Sequence, residues 1–520
     1  MHSLPLVLAL AFTTAVLAAP AAGPLHYRNP VRAGDFPDPS LIRVGDDYWA
    51  TATSSEWAPH FPLLHSRDLV NWEVKGLVFA TLPAWAKGNF WAPEIAQHRD
   101  KFFVYYTARR ADNNRLAVAV ATADHPAGPY TDHGPLIAQE AGSIDPVPFT
   151  DAEGVRWLLW KEDGNSRKLP TPIWLQRLRD DGLGFTGEKR EILRNDAPWE
   201  GAVVEGPFVL RHGGMYYLFY SGGACCGRDC TYALGVARAK AMLGPWEKAP
   251  ANPLLAGNDA WRCPGHGSIV ADPDGRHWLL YHAYSQKGFV ATGREMLLDE
   301  VVFGADGWPV IRAGRGPSTL AAAPRAATEQ ADHTGLRDDF SGSGLAPGWQ
   351  WLIGRQPAAR MAGGMLTLEA GDGPASAVQS IRVASFVAET AVVPATIIKG
   401  ASAGLAVFGD RANHLALLTD GRTIQVWSEQ KGQRRKVAET AAPAGGVVRL
   451  RIACVDGSTF RFAVQGGGTW TELAGATDGS ALPPWDRGVR VGVHVEGAAG
   501  AAASFDYFSM MPGAGQWLAP

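Results

Sequence analysis

The sequence predicts an all-β chain, a five-bladed β-propeller followed by a β-sandwich, on three observations. One strand–turn–strand pattern recurs five times between residues 38 and 284. Gly 60 and Pro 36 punctuate the chain heavily, which favours short strands over long helices. A second run of short alternating segments resumes after residue 336. At 520 residues the chain also exceeds what one compact core carries, so two or three domains are expected.

Taken in order, residues 4–18, LPLVLALAFTTAVLA, form an apolar run too short for a transmembrane helix. Val16 and Ala18 stand at the −3 and −1 positions of a cleavage site, so residues 1–21 read as a signal peptide and the mature protein as secreted or periplasmic. The repeats follow: DPSLIRVGDDYWATATS from Asp38, APEIAQHRDKFFVYYTA from Ala92 and DPVPFTDAEGVRWLLWK from Asp145. GPFVLRHGGMYYLFYSG from Gly206 and GSIVADPDGRHWLLYHAY from Gly267 complete the set. Further strand-like segments lie between them, such as Leu116-AVAVATA and Tyr232-ALGVARA, giving two hairpins per repeat. A lone four-stranded sheet cannot bury both faces, whereas copies packed radially about an axis can. A propeller over 22–312 is therefore expected, then an Ala/Pro/Gly/Thr-rich linker over 313–335. In the last region, 336–520, VVRLRIACVDGSTFRFAVQ carries a two-strand pattern around an Asp-Gly turn, and the other short strands fit a sandwich.

Charge and cysteines bound the function classes. A net charge of −3 with no Lys/Arg block offers nothing to a phosphate backbone, and no second apolar run spans a bilayer. Cys225, Cys226, Cys230 and Cys263 fall in one stretch and can form one or two disulfides in an oxidising compartment, with the pairing open. Cys454 stands alone.

In a propeller, the innermost strand of each blade lines the central channel, so the starts of the repeats meet at one mouth. Asp38, the Trp91–Ala92 pair, Asp145, Glu205 and His266 are brought together in this way. Any one of the acids could serve a turn, since Asp38 and Asp145 precede Pro. Three carboxylates at equivalent positions repel one another and must hold unequal protonation states, which folding does not require. Glycoside hydrolysis does require it: one carboxylic acid protonates the leaving oxygen and a carboxylate attacks or activates water. Trp91 would wall the sugar ring.

These pieces resemble glycoside hydrolase family 43. The stretch from Asn29 to Trp72 resembles its opening, and NFWAPEI, GSIDPVPF, VEGPFV, GHGSIV and REMLLDEV match its later patterns in order. The resemblance implies an inverting β-xylosidase or α-L-arabinofuranosidase, with Asp38 as base, Asp145 as pKa modulator and Glu205 as acid. It places Trp91, Ala92 and Ile144 around the terminal sugar and Arg294 on the substrate. His266 matches an axial histidine that helps hold a hydrated, structural calcium in the channel; no cofactor is implied for the chemistry. DDFSGSGLAPGWQWL (338–352) and AGLAVFGDRANHLAL (403–417) resemble the concanavalin-like sandwich attached to family xylosidases. The insertion GGACCGRDCTYALGVARA (222–239) departs from the xylosidase pattern and keeps an endo-arabinanase as the alternative. A non-catalytic carbohydrate-binding propeller would keep Trp91 and Arg294 without needing Asp38 and Glu205 together. The expected partner is plant cell-wall polysaccharide, with no nucleic acid and no membrane.

Overall fold

The computed structural model describes residues 25–518 apart from 289, 313, 315 and 516; the expected leader lies outside the described residues. Five four-stranded antiparallel sheets follow one another, each a simple meander. Their first strands are Ser40–Val44, Ala86–His98, Ser143–Thr150, Val204–His212 and Trp261–Ala271. Each first strand packs on the next, and Trp261–Ala271 returns to Ser40–Val44, so the five form a closed ring.

The apolar cores show the same closure. Phe61 and Leu63 of the first sheet pack on Ile95, Val104 and Tyr106 of the second. Phe103 and Val120 of the second meet Leu158 and Trp160 of the third. Leu159 and Leu175 meet Leu218 and Tyr220, then Phe219 and Val236 meet Leu279 and Leu297. Trp278 and Leu280 of the fifth sheet complete the circuit on Leu41, Leu64 and Trp72 of the first. The aromatic second strands are what fill both faces: Lys101–Arg110 (KFFVYYTARR) is buried from Phe102 to Ala108, as a strand packed on both sides must be.

The stretch expected as a linker is strapped to this ring. Leu320–Ala322 pairs antiparallel with His26–Arg28, and Asp68 accepts hydrogen bonds from the Thr328 amide (3.1 Å) and hydroxyl (2.9 Å). Beyond it, a nine-stranded and a six-stranded antiparallel sheet share one core, with Leu366, Val392, Leu405, Leu450, Phe462, Val493 and Phe505 fully buried. The ring and the sandwich are docked together. Trp57–Ala58 pairs with Trp351–Leu352, and the buried Trp57 indole packs on Val378, Ala406, Phe408 and Leu418 of the six-stranded sheet.

Candidate active site

Two first strands also hold Asn89 and Cys263 in the left-handed region, but one such residue recurs at an equivalent position in every first strand or, for Ser40–Val44, just before it. The recurring residues are Asp38 (φ +52°), Ala92 (+39°), Asp145 (+56°), Gly206 (+55°) and His266 (+41°). For residues other than glycine this conformation costs about 1–2 kcal/mol, and it persists where surrounding contacts enforce it. Gly206 also needs to be glycine for space, since a Cβ there would lie 2.7 Å from the His266 ring. In four of the strands the ladder slips at this point, between Trp91 and Glu94, Ile144 and Val147, Glu205 and Phe208, and Gly265 and Ser268. Such bulges re-aim side chains, here toward the ring axis. The fifth repeat is thus in register at His266, one residue before the Gly267 that opens its sequence pattern.

The amides of these residues are held by side chains of the preceding sheet. Ala92 N–H donates to Thr53 Oγ1 (2.7 Å), Asp145 N–H to Thr107 Oγ1 (3.2 Å) and His266 N–H to Ser221 Oγ (2.9 Å). Asp38 N–H donates to His282 Nδ1 (3.0 Å). The Gly206 amide alone breaks the pattern and donates to Asp145 Oδ2 (3.0 Å).

Asp38, Trp91, Ile144, Asp145, Glu205, His266 and Arg294 line a single cavity of about 540 Å³. Ala92 is not among its lining residues; its amide binds Thr53, whose hydroxyl donates to Asp38 Oδ2 at 2.7 Å. Arg294, expected on the substrate, donates from Nη1 to Asp38 Oδ1 at 2.8 Å and from Nη2 to the Asp486 carbonyl at 3.1 Å.

The three carboxyls hold different charge states. Burial pushes Asp38 up, but the Arg294 guanidinium, with His266, outweighs it and holds the carboxyl well below the usual range. Burial lowers His282 to about 4, so the ring is neutral and free to accept the Asp38 amide. Burial also raises Asp145, to about 6, helped by the Glu205 charge. Glu205 is equally desolvated, yet Lys161 Nζ at 2.7 Å from Oε2 draws it below its ordinary value. Asp38 is thus held ionised as a base must be, Asp145 keeps its proton up to about pH 6, and Lys161 draws Glu205 toward the carboxylate.

Several residues here escaped the sequence reading. Lys161 is 1% exposed and lies opposite Ile144 across the ladder, which sets it beside Asp145. Its signal was a lone cation closing the apolar run WLLWK. Trp485 and Asp486 reach the cavity from the sandwich; the Trp485 ring, 60% exposed, meets Trp91 edge-on at 5.9 Å. The four clustered cysteines form two bridges, Cys225–Cys226 and Cys230–Cys263, and the first lines the cavity.

Among the described residues no three His, Cys, Asp or Glu side chains converge as a metal site. Calcium takes six to eight oxygen ligands, whereas His266 offers nitrogen, and its Nδ1 faces Asp38 Oδ1 at 3.4 Å. Among the described residues no all-protein calcium cage surrounds His266.

Comparison with known proteins places this geometry. A family model described as Glycosyl hydrolases family 43 matches residues 27–309, and one described as Beta xylosidase C-terminal Concanavalin A-like domain matches 337–511. Xylosidase/arabinosidase 43B of Humicola insolens is 32% identical over 350 residues, 63% of this chain and 62% of that protein. The chain therefore spans less than two thirds of this relative's length. The extracellular exo-alpha-(1->5)-L-arabinofuranosidase ArbA of Cellvibrio japonicus (strain Ueda107) is 30% identical over 313 residues, 53% of this chain and 86% of that one. The crystal structure of the GH43 BlXynB protein from Bacillus licheniformis superposes with a TM-score of 0.82 at 26% identity, covering 94% of this chain and 100% of that chain. With the first model matching more than half of the sequence and a solved relative superposing across ring and sandwich alike, the chain belongs to glycosyl hydrolases family 43.

Proposed function

We propose that the chain is an inverting, exo-acting glycoside hydrolase that releases xylose or L-arabinofuranose from hemicellulose. In this reading the five sheets over 22–312 are the blades of a propeller and 336–520 is an accessory sandwich. The observation that carries it is the set of three buried carboxyls around one cavity, Asp38 and Asp145 at the left-handed position of their repeats and Glu205 one residue before it. Asp38 is held ionised, Asp145 is raised to about 6 by burial and Glu205 is drawn down by Lys161. Asp38 takes a proton from water as the oxygen attacks the anomeric carbon. The glycosidic C–O bond breaks and Glu205 gives its proton to the leaving oxygen, while Asp145 competes for that proton and keeps it in the site. Solvent exchange then returns both carboxyls to their starting states.

Pentose release is supported by the relatives' names, xylosidase/arabinosidase and exo-alpha-(1->5)-L-arabinofuranosidase. Exo action is supported by the name of the Cellvibrio japonicus relative, an exo-alpha-(1->5)-L-arabinofuranosidase. The two disulfides fit an oxidising compartment and hence secretion.

Digestion of arabinoxylan, xylo-oligosaccharides and linear arabinan should release single pentoses first. Proton NMR should show the first sugar formed with the anomeric configuration opposite to that of the bond cleaved. Longer first products would overturn exo action, and a retained configuration would overturn the mechanism.

The pH dependence follows from the same charges. The proton shared by Asp145 and Glu205 is needed for acid catalysis, so kcat/KM should fall as pH rises through the Asp145 value of about 6. Asp38 needs to be ionised, and Arg294 keeps it so; the acid limb should therefore lie below the ordinary carboxylate range. A kcat/KM profile on a neutral aryl pentoside reads both limbs of the free enzyme.

A further inference from the structure

The five-fold repeat assigns a role to Lys161. In four sheets one second-strand residue, and in the first sheet Thr53 just past the second strand Asp47–Thr51, lies opposite the position just before the left-handed residue. Thr107 faces Trp91, Lys161 faces Ile144 and Ser221 faces Glu205 across their ladders. His282 faces Gly265, and Thr53 N–H bonds the Pro37 carbonyl in the first sheet. Four of the five, Thr53, Thr107, Ser221 and His282, accept the amide of the left-handed residue in the next sheet. An ammonium has no lone pair and cannot do this. At Lys161 the latch is therefore replaced: the Gly206 amide turns to Asp145 Oδ2, and Lys161 Nζ donates to Glu205 Oε2 (2.7 Å) and Asp163 Oδ1 (2.9 Å).

An unneeded buried cation at this position would be costly, since burial of a charge is tolerated only with partners that satisfy it. Resting on the glycosidase reading above, we propose that Lys161 is the positioning residue of the acid, fixing Glu205 through Oε2 so that Oε1 meets the leaving oxygen, and leaving the Gly206 amide to orient Asp145. The substitution converts a structural latch into a device that divides one proton between two carboxyls. Around Glu205 stand Lys161, His266, Tyr232 and Asp145, with Asp163 behind Lys161. Lys161 is the cation in direct contact, so its charge sets where the shared proton sits.

The test uses Lys161→Met, Lys161→Thr and Lys161→Arg in the full chain, with aryl pentosides of graded leaving-group acidity. Threonine is chosen because two sister positions carry it, so that variant should fold even if methionine does not. Loss of the charge should move the alkaline limb of kcat/KM up by about 1 pH unit or more, the usual effect of an opposite charge within hydrogen-bonding distance. It should also steepen the dependence on leaving group, with poor leaving groups losing roughly tenfold or more and activated ones little. Lys161→Arg should keep the limb near its wild-type position.

Folded Lys161→Thr with an unmoved limb and an unchanged leaving-group dependence would overturn the proposal. Glu205→Gln, run alongside, separates the two claims. If it is indifferent to the leaving group, the acid assignment itself fails. If it behaves as an acid variant while the Lys161 variants do not respond, only the role of Lys161 fails.

Discussion

Asp38→Asn is expected to lower kcat by about 10²–10⁴-fold on every pentoside, whatever its leaving group, because it removes the base that activates water. The amide keeps the shape of the site: its oxygen can still accept from Arg294 Nη1, and its NH₂ can donate to Thr53 Oγ1 once that hydroxyl rotates. The loss should thus appear in kcat with little change in fold. Glu205→Gln should behave differently, losing a similar factor with poor leaving groups but staying within about tenfold of wild type on dinitrophenyl pentosides, which leave without a proton. Steady-state kinetics on the graded aryl series separates the two patterns. An Asp38→Asn enzyme with near wild-type turnover would remove the base assignment.

Asp38 also bears on stability versus pH. Its carboxyl is lowered on folding, so the stabilisation it brings is complete above its unfolded value. That contribution is lost progressively as pH falls from the ordinary carboxylate value toward the depressed folded one. Neutral and mildly acidic conditions leave it intact, and the Arg294 pair should hold the base in place across the working range of the enzyme.

Much of this site was legible because the fold repeats. Period-two strands ending in aromatic pairs set the five units in register, and the convergence of Asp38, Asp145 and His266 followed from their equivalence, with Glu205 arriving one residue before the matching Gly206. The residues after Tyr106, Trp160, Tyr220 and Tyr281 are Thr107, Lys161, Ser221 and His282, and the lysine stands out once the column is drawn. Ala92 was misplaced by one layer because a strand start can present either its side chain to the cavity or its amide to a neighbour, and only the backbone turn decides. Trp485 and Asp486 lie about two hundred residues beyond Arg294 and arrive through domain docking, which no local pattern encodes. The cysteine pairing depended on where the insertion folds against Cys263.

The docking itself supports the second large prediction. Asp35 and Arg490 form an ion pair at 3.1 Å between ring and sandwich, with both side chains 2% exposed. Asp35→Ala should destabilise the chain by about 3–5 kcal/mol, the usual result of leaving one member of a buried pair uncompensated. Asp35 does more than balance charge. Its Oδ1 accepts the Arg294 amide (3.0 Å) and its Oδ2 the Gly488 amide (2.9 Å), so one carboxylate fixes both the strand that presents Arg294 and the sandwich segment beside Asp486. Arg294 in turn bonds the Asp486 carbonyl and Asp38, which links domain docking to the base. The double variant Asp35→Leu with Arg490→Met separates these two effects. Removing both charges should recover much of the stability, because a buried pair contributes little over apolar residues of similar size. It cannot restore an acceptor for the Arg294 and Gly488 amides, so kcat should stay low. Chemical denaturation and kcat measured on the same preparations would show stability and activity parting company. If both recovered together, Asp35 would be a charge partner and nothing more.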